Sequence, residues 1–318
     1  MKPAAPIEQA TVTLAEAPFL PFLDSRTARA PGLSPLDPSN WILTGPDYAA
    51  QMRLRRRLVD ARPEIVLGQT DDASEGLSEL LDLLVAHLRD LPGFRADGAD
   101  LIRPDGVRVA VQAEAPLVTI AQLVAEDFCL MQRRETGGEY CLMAAALCFP
   151  SRWSLGEKLG RPMTAIHEPV PDYDAVLARR VARVFDMLAP ERPVFRVNWL
   201  MHDDPALHQT AHRAQGASTA HGPAAGLYLR TEHQTLRRLP RSGAIAFGIR
   251  THITPIEGLR PLVRERLGAM LAGLDPATID YRIGAEDLAE GRAFIETLGD
   301  DGPSPQKSGA GYASALAS

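Results

Sequence analysis

The sequence is poor in cysteine, with only Cys129, Cys141 and Cys148 among 318 residues. Each of the three lies in an apolar stretch. Their number and spacing do not fit a zinc knuckle, an iron–sulfur cluster or a disulfide framework. We therefore predict three reduced cysteines in the hydrophobic core.

The sequence also lacks long apolar runs and blocks of basic residues. No segment approaches the roughly 18 to 20 apolar residues that a membrane span needs, and residues 1–10 lack the features of a signal peptide. The formal net charge is -6 and the pI is near 5.8, which gives no electrostatic footprint for nucleic acid or anionic lipid. The sequence thus predicts a cytoplasmic protein that binds neither nucleic acid nor membranes.

Several catalytic motifs are missing as well. There is no G-x-S-x-G, no Walker loop, no H-E-x-x-H and no G-x-G-x-x-G after a strand. A hydrolase, a kinase or an NAD-dependent dehydrogenase would therefore have no visible machinery. The composition, 45% hydrophobic and 23% charged, is that of an ordinary globular protein.

The N-terminal part, residues 1–116, is predicted to be an arm followed by helices. Proline, glycine and serine recur through residues 1–46, which favours an extended arm packed on another surface. Residues 47–61 indicate a basic, largely exposed helix. A capping-box pattern at 72–75 precedes a second helix with a leucine stripe.

Residues 117–255 predict an α+β core. A short helix at 120–126 leads into a hairpin, and five strands alternate with helical segments in the order two strands, helices, three strands. We expect a mainly antiparallel five-stranded sheet with helices on one face. The strands are predicted at 128–131, 140–149, 194–201, 227–236 and 244–251, with an aspartate-capped helix at 172–188 before the last three.

The C-terminal part is predicted to form two helices and a tail. Helical patterns at 259–271 and 286–298 define a segment from 256 to 298. Residues 299–318 are rich in glycine, serine, alanine and proline, which predicts disorder.

Polar residues in the core could carry chemistry. His167 lies among prolines that restrict its backbone, so a neutral imidazole could be presented to a metal, although a histidine held by loop hydrogen bonds is the simpler interpretation. Alternation places Arg196 and Asn198 on one strand face, and Arg230 and Glu232 on one face of the next, which an ordinary solvated sheet also explains.

Two further patterns are weaker. In the last strand Ala244, Ala246 and Gly248 leave a bare strip beside Arg250 and His252, which could admit a flat ligand. Histidines also recur near an Asp-rich connection, where helical spacing of two of them could bind a metal, but no helix pattern supports this; they are His202, His208 and His212.

Several separate blocks resemble a bacterial family that contains the haem-binding alpha subunit of haem-dependent oxidative N-demethylase. The resemblance runs from about residue 47 to residue 255. Its blocks are Glu126-Asp-Phe128, Phe149-Pro-Ser-Arg-Trp153, Glu157-Lys-Leu-Gly160, Ile166-His-Glu-Pro-Val-Pro171, Arg196-Val-Asn-Trp199 and Leu229-Arg-Thr-Glu-His-Gln-Thr-Leu-Arg-Arg-Leu-Pro240.

The resemblance implies a PAS-like fold, haem b, and oxygen-dependent demethylation of a small secondary amine such as dimethylamine, with release of formaldehyde. Electrons would come from flavin and iron–sulfur partner subunits in a hetero-oligomer. His167 is then the expected axial iron ligand. Arg196, Asn198 and Glu232 become catalytic candidates for the oxygen and amine site, and three residues become candidates for holding the haem: Trp199, Arg230 and Arg250.

One departure from the family pattern and two alternatives accompany this interpretation. His233 stands where the family's block has an arginine, which puts specificity for dimethylamine in doubt. A haem-binding PAS sensor without turnover and a haem-free homologue are the competing hypotheses. No output module follows residue 255, which speaks against a sensor.

Overall fold

The computed structural model of the chain describes residues 12–14, 18–23, 32–135, 137–167, 175–202, 204–210, 227–275, 278–279 and 282, with the backbone alone at 175–177. The predicted aspartate cap at 172, the helix at 286–298 and the disordered tail lie outside these residues. The helices are α1 (Tyr48–Ala61), α2 (Pro63–Val66), α3 (Ser74–Asp90), α4 (Pro116–Leu123), α5 (Leu155–Lys158), α6 (Met163–Ile166), α7 (Ala175–Met187) and α8 (Pro261–Ala272).

The fold is α+β with an antiparallel main sheet, as predicted. In the described part of the chain this sheet has seven strands in the order β1-β8-β9-β10-β6-β7-β2, and a small sheet has the order β3-β4-β5. The strands are β1 (Ser34–Pro35), β2 (Leu67–Gln69), β3 (Arg95–Asp97), β4 (Asp100–Ile102), β5 (Arg108–Val109), β6 (Asp127–Arg133), β7 (Tyr140–Ala146), β8 (Val194–His202), β9 (Tyr228–Arg238) and β10 (Ile245–Pro255).

The five long strands confirm the predicted strands. Strand β7 ends earlier than predicted because the chain turns after Ala146, where Asp127 accepts hydrogen bonds from the backbone N–H groups of Cys148 and Phe149 at 2.7 and 2.8 Å. The prediction of five strands was incomplete. It missed the edge strands β1 and β2, which are too short to show an alternating pattern.

The two faces of the main sheet are covered by different helices. On one, the linker face, Leu155 of α5, Ile166 of α6 and Phe185 of α7 pack in one apolar cluster with Cys129 and Leu236. The other, the N-terminal face, packs against α1, α3 and α4. The helices between β7 and β8 thus cover one face, as predicted. The sequence did not show that the N-terminal helices cover the other, where apolar strand residues also need cover.

Helix α1 was predicted to be largely exposed, and this was wrong. Its buried side includes Gln51 and Arg55, both 0% exposed, beside Leu54 and Leu58. Arg55 pairs with Asp127, which is 72 residues away in the sequence. A charged side chain can therefore face the core here because its partner comes from the sheet.

The capping box predicted at residues 72–75 was also wrong. Asp72 lies in a 3-10 turn and its carboxylate accepts a hydrogen bond from Thr70 Oγ1 at 2.7 Å. Helix α3 begins at Ser74 without a side-chain cap. Helix α4, predicted at 120–126, begins earlier, at Pro116, a residue suited to the first turn.

Candidate functional site

A polar cluster occupies the linker face where β8 and β9 pair. The register sets Asn198 opposite Glu232 and Arg196 opposite Gln234, so side chains of alternate residues share this face. The sequence predicted that Arg196 and Asn198 share a face, and that Arg230 and Glu232 do. The structure brings all four together.

Glu232 is the centre of the cluster. Its Oε2 accepts hydrogen bonds from Gln234 Nε2 at 2.9 Å and from Asn198 Nδ2 at 3.3 Å, and its Oε1 accepts one from Arg230 Nε at 3.3 Å. Arg196 Nε donates to Gln234 Oε1 at 2.6 Å. A carboxylate is thus held in a fixed orientation, with lone-pair capacity for one more donor.

Arg230 is fully buried beneath the cluster. Its guanidinium donates to the backbone carbonyls of Leu207 and Phe149 at 3.1 and 2.6 Å, besides its bond to Glu232. Burial lowers the pKa of Arg230 from its ordinary value, while Glu232 raises it. This arginine fixes the connections after β7 and β8 relative to β9.

His167 lies on the same side of the sheet, just after α6. Its Nδ1 is 3.0 Å from the carbonyl oxygen of Met163, which can only accept, so Nδ1 carries the proton and Nε2 has the lone pair. Burial, with smaller contributions from the charges of Lys158 and Arg196, lowers the pKa of His167 to about 4, although the hydrogen bond to Met163 opposes this shift. The imidazole is therefore neutral at pH 7, the form that binds a metal.

Trp199 and Arg250 are not brought to this cluster. Trp199 points to the N-terminal face, where it packs against Phe22 and under the guanidinium of Arg282, 4.3 Å from the ring centroid. Arg250 also lies on that face and pairs with Asp47 at 2.8 Å. A ligand that contacts His167 and Glu232 would not reach them through the sheet.

The N-terminal face also holds the bare strip and His233. A Cβ added at Gly248 would lie 2.6 Å from Thr235 Oγ1 and 3.0 Å from Phe128, so the space predicted for a flat ligand is filled there. His233 stacks on Phe19 with ring centroids 4.5 Å apart. Because alternation points it away from Glu232, this departure from the family does not enter the polar cluster.

The structure also places one further histidine and the three cysteines. His208 Nδ1 lies 2.8 Å from the Cys148 carbonyl, and His212 lies outside the described residues. Within the described chain, no three His, Cys, Asp or Glu side chains gather as a metal site. The cysteines are free and buried as predicted, and burial raises the pKa values of Cys129 and Cys148 to about 12.

Sequence reasoning underused two residues near the cluster. Alternation places Gln234 on the same face as Glu232, but its bridge to Arg196 depends on the β8–β9 pairing, which the sequence does not display. Asp127 was noticed only within a block of resemblance. Its role in anchoring Arg55 and the end of β7 needed the fold.

A buried, oriented carboxylate and a neutral imidazole on one face of an α+β sheet make this face the candidate site for a ligand or cofactor. The chain matches the family described as haem-dependent oxidative N-demethylase, alpha subunit-like, over residues 32–287. This chain belongs to that family. Its name indicates haem dependence, oxidative demethylation and a multi-subunit enzyme.

No helix in the described ranges is long and apolar enough to span a membrane.

Proposed function

We propose that this chain binds haem b on the linker face of a PAS-like core and catalyses oxygen-dependent demethylation of a small secondary amine, such as dimethylamine, with release of formaldehyde. The observation that carries the proposal is the oriented Glu232 carboxylate on the face that His167 shares. The family match supports haem as the cofactor.

The proposed PAS-like core spans residues 117–255, with an N-terminal extension before it and helix α8 (Pro261–Ala272) after it. Two long strands, β6 and β7, precede the linker helices, and three, β8 to β10, follow them. In the sheet the two groups meet at the β6–β10 pair. The linker helices then cover the face on which a ligand would lie.

The residues present on the linker face fit a haem group. The Nδ1–H group of His167 donates a hydrogen bond to a backbone carbonyl. Histidines that bind a metal through Nε2 typically have such a bond at the other ring nitrogen. His167 would hold the iron. Bound haem would supply oxygen activation and one-electron chemistry, which amino-acid side chains lack.

The protein side chains position the amine. Glu232 accepts an N–H of the protonated amine, and Asn198 and Gln234 keep its carboxylate in one orientation. Arg196, held by Gln234, provides a donor beside the oxygen site. Electrons come from flavin and iron–sulfur partner subunits, and the alpha-subunit-like family supports a multi-subunit enzyme.

Turnover with a matched pair of variants tests this function. With haemin, oxygen, dimethylamine and a reductant, the wild-type chain should release formaldehyde in proportion to the amine consumed. Glu232→Gln should weaken amine binding about 10-fold or more, because a charge-assisted hydrogen bond is replaced by a neutral one. Arg192→Gln, at an exposed site after α7, is the control and should behave as wild type.

One observation favours a second function, haem binding without turnover. Glu232 already accepts from the fully buried Arg230, so its charge is compensated inside the protein. An amine that shifts the haem spectrum without any formaldehyde would support that alternative and contradict the proposed enzyme.

A further inference from the structure

A second polar pocket lies at the far end of β8, where two connections meet. Ser151 and Gln209 form a parallel β-bridge, and the backbone N–H of Arg152 donates to the Gln209 carbonyl at 2.8 Å. His202, the last residue of β8, points its Nδ1 to Gln209 Oε1 at 2.8 Å. Gln209 thus joins the loop at Ser151 and Arg152 to His202.

The tautomer of His202 follows from the orientation of Gln209. The Nε2 amide of Gln209 donates to the carbonyls of Asp204 and Ala206 at 3.0 and 2.9 Å, so its Oε1 must face His202. His202 Nδ1 therefore carries the proton, and Nε2 carries the lone pair. The side chain is 2% exposed, and Nε2 has no hydrogen-bond partner among the described residues.

Ser151, which pairs with the same Gln209, has a second unsatisfied atom. Its Oγ is buried and, within the described chain, has no partner. The two residues that contact Gln209 therefore both keep hydrogen-bonding capacity for an occupant. Burial lowers the pKa of His202 well below its ordinary value, and the positive charges of Arg230 and Arg152 nearby lower it too.

Arg152 has a backbone conformation that is uncommon outside glycine, with φ of 61°. Backbone strain of this kind concentrates where a side chain is needed at a ligand site. Arg230 donates to two backbone carbonyls and to Glu232, and its positive charge lies near His202. Arg152 belongs to the loop that pairs with Gln209.

We propose that Ser151, Arg152 and His202 form a subsite for a carboxylate group. The proposal rests on the proposed function, because the carboxylate would come either from a haem propionate or from an amine substrate that carries one, such as an N-methylated amino acid. The ligand accepts hydrogen bonds from the hydroxyl and the guanidinium. His202 takes up one proton from solvent and donates through Nε2.

Histidine ¹⁵N NMR of the full-length chain tests the subsite without requiring haem. Adding acetate or N-methylglycine should move the Nε2 signal of His202 saturably from the range of an unprotonated nitrogen to that of a protonated one. The signal is identified by its loss in His202→Gln. A Nε2 signal unchanged by both ligands in the wild type would overturn the proposal.

Arg152→Gly is the decisive variant, since glycine adopts the same backbone conformation without strain and removes only the side chain. We expect the ligand-dependent shift to weaken about 10-fold or more, the loss of one charge-assisted contact. Arg192→Gln should keep the wild-type response. An Arg152→Gly chain that still responds like wild type would also contradict the subsite.

Two titrations distinguish the sources of the carboxylate. If it is a haem propionate, haemin should bind more tightly than haemin dimethyl ester, and Arg152→Gly should abolish the difference. If it belongs to the substrate, N-methylglycine should bind the haem-loaded chain more tightly than dimethylamine, again only with Arg152 present. Equal affinities in both comparisons would refute the subsite, whereas failure to bind any haem would refute the proposed function alone.

Discussion

Both faces of the main sheet bury an arginine beside a carboxylate, but the two pairs are built differently. On the linker face, Glu232 and Arg230 are two residues apart on one strand, and half-buried neighbours complete the cluster. On the N-terminal face, Asp47 pairs with Arg250, which lies 203 residues further along the chain. The first pair is local, whereas the second joins distant segments.

The N-terminal pair ties α1 to the sheet. Asp47 also accepts from Gln51 Nε2 at 2.8 Å and lies 3.0 Å from His252 Nδ1, and Gln51 reaches the Thr251 carbonyl. Except for the bond between Asp47 and Gln51, these contacts join the start of α1 to β10. Buried charge thus links distant segments on the N-terminal face, whereas on the linker face it holds the Glu232 carboxylate in one orientation.

The largest effect that tests this comparison is the loss of Asp47. Asp47→Ala leaves the guanidinium of Arg250 buried and unpaired, which should lower the free energy of unfolding by about 3 to 5 kcal/mol. Urea denaturation measures it. Asp60→Ala, which removes an exposed ion pair on the same helix, should change stability by less than about 1 kcal/mol. An equal fall in the free energy of unfolding for the two variants would show that the contacts of Asp47 do not hold α1 on the sheet.

A smaller effect compares the packing of the two faces. Gly248→Ala on the N-terminal face places a methyl group against Thr235 and Phe128 and should cost about 1 to 3 kcal/mol. Gly156→Ala in α5, on the linker side, meets nothing within 4 Å. It should stabilise by about 0.5 to 1 kcal/mol, because alanine favours a helix over glycine. Thermal unfolding measures the stability of both variants. An unchanged stability of Gly248→Ala would contradict the tight packing of the N-terminal face.

A graded effect follows from His233 on the N-terminal face. Burial, with a smaller contribution from His252, lowers the pKa of His233 to about 4. The unfolded chain takes up a proton near pH 6.5 that the folded chain refuses, so this stability is present above pH 6.5 and is lost as the pH falls towards 4. By pH 5.5 the loss from this residue should be about 1 kcal/mol.

His233→Phe removes the titrating group and keeps an aromatic ring between Phe19 and Phe195. Urea unfolding at pH 7 and at about pH 5.5 should show a shallower pH dependence for the variant than for the wild type. Identical slopes would mean that His233 is not held neutral in the folded chain.

The smallest effect concerns Arg152 at the end of the linker face. Arg152→Gly relieves a left-handed backbone conformation and should raise the free energy of unfolding by about 0.5 to 1 kcal/mol after the added entropy of the unfolded glycine is counted. A gain in stability together with weaker carboxylate binding would show that the Arg152 side chain serves binding rather than folding. A loss of stability would show that the arginine side chain serves the fold.

The local part of this architecture was predictable from the sequence. Alternation predicted that Arg196 and Asn198 share a face of β8, and that Arg230 and Glu232 share a face of β9, because a strand has a fixed side-chain period of 2. The amphipathic pattern of α7 likewise predicted its contact with the sheet, which Phe185 makes.

The long-range part was not predictable. Gln51 and Arg55 on α1 read as a solvated face, since nothing nearby in the sequence pairs with them. Their partners, Arg250 and Asp127, become neighbours only when β10 and β6 pair. For the same reason Trp199 and Arg250 were grouped with His167, although the sheet separates them.

The most direct test of the central claim is a haemin titration of wild-type and His167→Ala chains, followed by absorption spectroscopy before and after adding dimethylamine. If His167 holds haem on the linker face beside Glu232, the wild type should give a Soret band that shifts with the amine, and His167→Ala should bind haemin more weakly with a displaced band. A His167→Ala chain with the same affinity and the same Soret position as the wild type would contradict the account.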